Sequence, residues 1–204
     1  MTQEDSQTPR PAIREAARRY GLLRPRDVEA LGIHRQYVQR MYSDGQLVRI
    51  GRGLYSLPGD SKAGAQTLAH VAARVPGAVV CLVSALSFHN VTTQVSDRIW
   101  IAIGHRARRP VMPYPPIELV RMSEATLSYG VEQHNIGGVA VNVFGPAKTV
   151  ADCFKYRNRI GLDVAIEALR DVWRRRLCTV DELEEAARVC RVSRVMRPYI
   201  EATV

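Results

Sequence analysis

The sequence predicts an α+β chain in two parts: a small N-terminal domain of helices and a hairpin, then a larger mixed α/β domain that ends in helices. Three observations carry this. Three short helical patterns and a two-strand pattern crowd into residues 10–58. Short strand patterns recur from Ala78 to Phe144. After Pro146 the apolar spacing turns helical.

Arg10–Tyr20 reads as a first helix, because Ile13, Ala16, Ala17 and Tyr20 recur at helical spacing and Gly21 follows. Pro11 is tolerated in its first turn. Pro25–Leu31 reads as a second, with Pro25 at its first position and Asp27 and Glu29 near its positive end. A third runs from about His34 to Ser43, stopped by Gly45. Leu47–Ile50 and Leu54–Leu57 read as strands around Gly51-Arg52-Gly53, a tight turn. Pro58–Lys62 reads as a linker, so the domains are expected at 10–58 and 64–204.

In the second part, Thr67–Arg74 reads as a helix, Ala78–Leu82 as a buried strand and Ser84–Asn90 as a helix. Arg98–Ile103 and Ile117–Met122 read as strands on either side of a loop with prolines 110, 113, 115 and 116. Gly137-Gly138 separates Val131–Ile136 from Val139–Phe144, as in a hairpin. Leu162, Ala165, Ile166, Leu169, Val172 and Trp173 form a helical stripe, and Thr179-Val180-Asp181-Glu182 is a capping box. The segment 178–204 is otherwise unassigned.

Composition places limits on function. At 46% hydrophobic and 24% charged the chain is ordinary for a globular protein. No apolar run approaches the ~20 residues that span a bilayer, and the polar Met1–Thr8 carries no signal pattern, so a cytosolic location is expected. The four cysteines, 81, 153, 178 and 190, form no C-x-x-C pair and read as small reduced hydrophobes. The net charge of +9 suits a polyanionic partner but is spread along the chain, so pattern must carry the argument.

Three helices followed by a two-stranded wing is the layout of a winged helix-turn-helix. Its third helix must be apolar on one face and carry base-reading donors on the other. Ile33, Tyr37, Val38 and Met41 supply the inner face. His34, Arg35, Gln36, Gln39 and Arg40 supply the outer one, with Arg suited to guanine and Gln to adenine. Arg49 and Arg52 in the wing suit phosphate or minor-groove contact. Such modules read two half-sites, which asks for two copies on DNA.

The stretch Tyr20-Gly21-Leu22-Leu23 through Leu47-Val48-Arg49-Ile50-Gly51-Arg52-Gly53-Leu54-Tyr55 resembles the winged helix of AbiEi-type antitoxins of type IV (abortive infection) toxin–antitoxin systems. Val83–His89, Ala147–Arg157 and Gly161–Arg170 extend the resemblance, which covers about residues 12–176. It implies a two-domain transcriptional repressor that binds inverted repeats upstream of its own operon. It also implies a nucleotidyltransferase-like toxin as partner, neutralised through the second domain without need of a stable complex.

Other chemistry finds less support. A nuclease targeted by the winged helix would need clustered carboxylates near a lysine; Asp97, Glu118, Asp152 and Lys148 are available but unassembled by spacing. Histidines 34, 70, 89, 105 and 134 lack metal-ligand spacing, and no phosphate-cradling glycine motif occurs. The expectation is therefore no enzyme, no metal and no cofactor. A protein-interaction module is a third class. Lys148, Asp152, Lys155, Tyr156 and Arg157 share a helical stretch, read either as a salt-bridged surface face or as a contact for toxin or nucleic acid. His105-Arg106-Ala107-Arg108-Arg109 reads as a phosphate contact or a solvated loop.

Overall fold

A computed structural model of the chain describes residues 9–20, 23–51, 53–58, 63–92, 96–112 and 115–203. Contacts divide it into two compact units, Met1–His70 and Val71–Val204. The division falls inside helix α4 (Ala63–Arg74), beyond the linker expected at 58–62, most of which lies outside the described residues.

The first unit contains α1 (Arg10–Tyr20), α2 (Pro25–Glu29), α3 (Gln36–Ser43), β1 (Val48–Gly51) and β2 (Leu54–Ser56). Ile13, Ala16 and Ala17 of α1 are buried at the i, i+3, i+4 spacing that the sequence offered. They pack with Leu23, Val28, Val38, Met41, Leu47 and Tyr55 into one core. Burying a side chain such as Val38 or Met41 contributes about 1.5–3 kcal/mol. The Asp27 carboxylate accepts a hydrogen bond from the Arg24 N–H at 2.8 Å, satisfying a donor at the start of α2. Burial pushes the Asp27 carboxyl above its ordinary value, against the pull of that bond and of the neighbouring arginines.

β1 and β2 pair antiparallel: Val48 faces Ser56, Arg49 faces Tyr55 and Gly51 faces Leu54, leaving Ile50 as the extra residue of a bulge. Leu23 adds a bridge to this hairpin through two backbone bonds with Tyr55, Leu23 N to Tyr55 O at 2.8 Å and Tyr55 N to Leu23 O at 2.9 Å. The segment leading into α2 is thereby stitched to the hairpin.

The second unit is a five-stranded mixed sheet with helices. Its strands are β3 (Val79–Val80), β4 (Ile99–Gly104), β5 (Ile117–Met122), β6 (Val131–Ile136) and β7 (Val139–Phe144), in the spatial order β5-β4-β3-β7-β6. β4–β5 and β3–β7 are parallel; β3–β4 and β6–β7 are antiparallel. The helices are α5 (Leu82–Phe88), α6 (Glu124–Ser128), α7 (Pro146–Lys155), α8 (Arg157–Ile160), α9 (Leu162–Arg174), α10 (Val180–Cys190) and α11 (Ser193–Thr203).

Strand alternation separates two cores. Ala102, Val120, Met122 and Phe144 join α5, α7, α9, α10 and α11 in the larger one. Ile101 and Ile103 face the other way, packing with Val71 and Ala78.

The expected strand Ala78–Leu82 is only two residues long, and the helix expected at Ser84 begins at Leu82. Cys81 is still extended (φ −141°, ψ 173°), but Leu82 turns to φ +48° and ends the strand. Cys81, Leu82 and Val83 are buried in either reading, so hydrophobicity alone could not separate them. The unassigned segment 178–204 forms α10 and α11, which bury Leu183, Ala186, Ala187, Cys190, Met196 and Ile200. Thr179 caps α10: its Oγ1 accepts from Glu182 N at 3.2 Å, and Glu182 Oε2 accepts from Thr179 N at 2.7 Å. Among the described residues no helix is long and apolar enough to cross a membrane.

Candidate nucleic-acid interface

α3 is divided as its sequence demands. Val38 and Met41 are buried and Tyr37 is half-buried, whereas Gln36, Gln39 and Arg40 are exposed. The outward set falls at i, i+3, i+4, one stripe of the helix. Asp44, just beyond the helix, pairs with Arg10 at 2.9 Å, so the nearest carboxylate is tied to a cation at the helix end.

His34 and Arg35 were expected within the helix but precede it. The His34 ring Nδ1 accepts from the Gln36 N–H at 3.2 Å, and its carbonyl accepts from Tyr37 N at 3.0 Å. His34 therefore satisfies amides of the first turn instead of extending it. Both side chains remain exposed on the approach to α3.

Three of the exposed groups have orienting neighbours. Arg35 Nε lies 3.8 Å from Glu29 Oε1, an exposed pair worth little in stability. The Arg40 guanidinium sits 5.5 Å from the centre of the Tyr37 ring. Tyr55 of β2 donates its hydroxyl to Gln39 Oε1 at 3.5 Å. His34, Arg35, Gln36, Gln39 and Tyr55 line one open cleft of about 440 Å³ with Pro25 and Val38. Arg49 is exposed on β1, opposite Tyr55 in the register; Arg52 lies outside the described residues. Sequence reading missed Tyr55 as a member of this group.

The second set of expected contact residues needs correction. Lys148 and Asp152 are not on a surface: they are 1% and 0% exposed. Seven consecutive residues of α7, Lys148–Phe154, are buried, so α7 is a central helix enclosed on all sides. The i, i+4 spacing established that the two could pair, and they do, at 2.5 Å, but not which way they face. Neither can touch a toxin or nucleic acid from there. Lys155, Tyr156 and Arg157 are half-buried at the end of α7 and the start of α8. Lys155 Nζ lies 6.0 Å from the Tyr156 ring centre, and Arg157 donates to the Phe154 carbonyl at 2.9 Å. Burial, helped by the Asp152 carboxylate, pushes the Tyr156 hydroxyl up to about 12.

The carboxylates that a nuclease would need are engaged separately. Glu118 pairs with Arg159 at 2.6 Å and Arg98 at 3.6 Å, while Asp152 holds Lys148. Among the described residues no group of three His, Cys, Asp or Glu side chains is placed to hold a metal ion. His105, Arg106, Arg108 and Arg109 are exposed on the loop that follows β4. The Arg121 guanidinium organises that loop, donating to the carbonyls of Gly104, His105 and Ala107 at 3.3, 2.6 and 2.9 Å.

No curated protein matches the chain. A solved structure described as the RV2827C protein from Mycobacterium tuberculosis is 14% identical, covers 96% of this chain and 81% of its own, and superposes with a TM-score of 0.46. A family model described as "Transcriptional regulator, AbiEi antitoxin" matches residues 10–58, the segment that runs from α1 through the hairpin and carries the cleft. This is a regulatory family and points to DNA-binding control of transcription. Over residues 10–58 the resemblance read from the sequence is borne out: this segment is similar to the AbiEi antitoxin transcriptional regulators.

Proposed function

We propose that this chain is a sequence-specific transcriptional repressor and antitoxin whose N-terminal winged helix-turn-helix reads inverted repeats upstream of its own toxin–antitoxin operon. The observation that carries the reading is the exposed stripe of α3. Gln36, Gln39 and Arg40, with Arg35 just before them, offer hydrogen-bond donors over an apolar inner face, inside the segment that the family model matches. An α-helix so divided fits a major groove, and Arg49, exposed on the hairpin, suits contact with phosphate. Two copies occupy the two half-sites. The partner is a nucleotidyltransferase-like toxin, counteracted by the second unit and not requiring a stable complex. The chain acts in the cytoplasm and is not itself an enzyme.

The test is a mobility-shift titration of the full chain against the DNA upstream of its gene and an unrelated duplex of equal length, at several salt concentrations. The wild type should prefer the upstream duplex, and Arg35→Ala/Arg40→Ala should lose the preference. Equal, weak and salt-labile binding to both duplexes by both proteins would reduce the interaction to generic basicity.

A further inference from the structure

The geometry points to Tyr55 as a positioning residue that fixes which way the Gln39 amide faces, and hence which base Gln39 reads. This rests on the DNA-reading role of α3 proposed above, and it sharpens that role to one side chain and one base class.

Tyr55 is well suited to the task because it is buried and its backbone is paired on both sides. It is 7% exposed, and its backbone is held by two hydrogen bonds to Leu23 besides the pairing within the hairpin. Its ring meets Tyr42 edge-on, with centroids 5.7 Å apart. Its hydroxyl is therefore delivered to a fixed point, where it donates to Gln39 Oε1 at 3.5 Å. Such a contact is weak where water competes and stronger once DNA closes over the cleft and excludes water.

The consequence is chemical. An amide side chain has an acceptor, Oε1, and two N–H donors on Nε2. Pairing with adenine uses both ends, Oε1 for the N6 amine and Nε2 for N7. With Oε1 turned to Tyr55, the end left for the groove is the donor end. Donors match guanine, whose O6 and N7 both accept. Gln39 thus reads guanine in preference to adenine, against the usual pairing expected of glutamine from sequence. Removing the Tyr55 hydroxyl frees the amide to rotate and removes the preference for guanine.

The experiment measures affinities of the full chain for the upstream duplex and for every single-base-pair variant of its bound site. Wild type, Gln39→Ala, Tyr55→Phe and the double variant are compared at one salt concentration. Gln39→Ala identifies the position that Gln39 reads, where discrimination disappears. There the wild type should favour guanine over adenine by about tenfold or more. Tyr55→Phe should erase that ratio and leave discrimination at the other positions, and the thermal midpoint, unchanged. The double variant should match Gln39→Ala. A purely structural Tyr55 would instead weaken every duplex in equal proportion, which would overturn the proposal. Adenine preferred over guanine by the wild type at that position, or no position sensitive to Gln39→Ala, would overturn it as well. Absence of any upstream preference in the wild type is a separate result, and it would remove the DNA-reading role itself.

Discussion

Lys148 Nζ lies 2.5 Å from Asp152 Oδ2 in the middle of the second unit, with both side chains sealed from solvent. The pair is embedded in apolar and sulfur-bearing groups. Lys148 Nζ is 3.9 Å from the Phe144 ring centre and 4.0 Å from Met122 Sδ, and Cys190 donates its thiol to Asp152 Oδ1 at 3.3 Å. One ion pair thus joins β5, β7, α7 and α10. Burial raises the Asp152 carboxyl above its ordinary value by more than the Lys148 ammonium lowers it. Desolvating two charges offsets much of what their attraction contributes, so a buried pair of this kind fixes an arrangement more than it stabilises it.

That balance predicts an asymmetry between breaking the pair and replacing it. Asp152→Asn strands a buried ammonium and should cost about 3–5 kcal/mol. Lys148→Met/Asp152→Val removes both charges and should cost less than Asp152→Asn or Lys148→Met alone. Denaturant unfolding of the full chain, followed by a probe in the second unit, measures all three. A double variant less stable than either single variant would show that the attraction between the two charges outweighs their desolvation.

Gly130 meets the same lysine from outside α7. Its φ is +67°, and a Cβ there would stand 2.7 Å from Lys148 Cβ. Gly137, in the β6–β7 turn, has φ +60° and nothing within 4 Å. Gly137→Ala should cost about 1–2 kcal/mol, the left-handed backbone penalty alone. Gly130→Ala should cost that and about 1–3 kcal/mol more, because Lys148 is locked on Asp152 and cannot withdraw. Equal losses of stability for the two variants would mean that α7 yields easily.

The same elements show what sequence could and could not convey. The outward stripe of α3 was legible because helical period and side-chain polarity agree at Val38, Gln39, Arg40 and Met41. The hairpin Val131–Phe144 was legible because two adjacent glycines interrupt two alternating runs. The position of Lys148 was not, since spacing specifies a pair and only tertiary packing specifies its surroundings. The contact of Tyr55 with Gln39 was hidden for a different reason: it spans a separation of 16 residues.

Alkaline pH should destabilise the second unit through Cys190. Burial first, and Asp152 next, push its thiol from 9.0 up to about 12. Between those values the unfolded chain has released the proton and the folded chain still holds it. The folded state binds more protons, so stability falls as pH rises from about 9 to about 12. One such group contributes a slope of up to about 1.4 kcal/mol per pH unit. Unfolding measured at pH 8, 9.5 and 10.5 should show the decline, and Cys190→Ala should make it shallower. Identical slopes for variant and wild type would place the thiol near its ordinary value in the folded chain.

Arg121 should control the order of the basic loop without controlling the fold. Its guanidinium bridges three carbonyls of residues 104–107, and the site is exposed, so Arg121→Leu should cost only about 1 kcal/mol globally. Locally those carbonyls lose their shared donor, and the segment that carries Arg106 and Arg108 is released. Brief trypsin treatment under native conditions should then cut after Arg106 and Arg108 several-fold faster in Arg121→Leu than in the wild type. The thermal midpoint should move little, because the neighbouring β4–β5 pairing, in register from Ile99↔Ile117 to Gly104↔Met122, does not depend on that side chain. Unchanged cleavage would mean that the loop is held by its own backbone turns, of which the Ala107 N to Gly104 O bond at 3.0 Å is one.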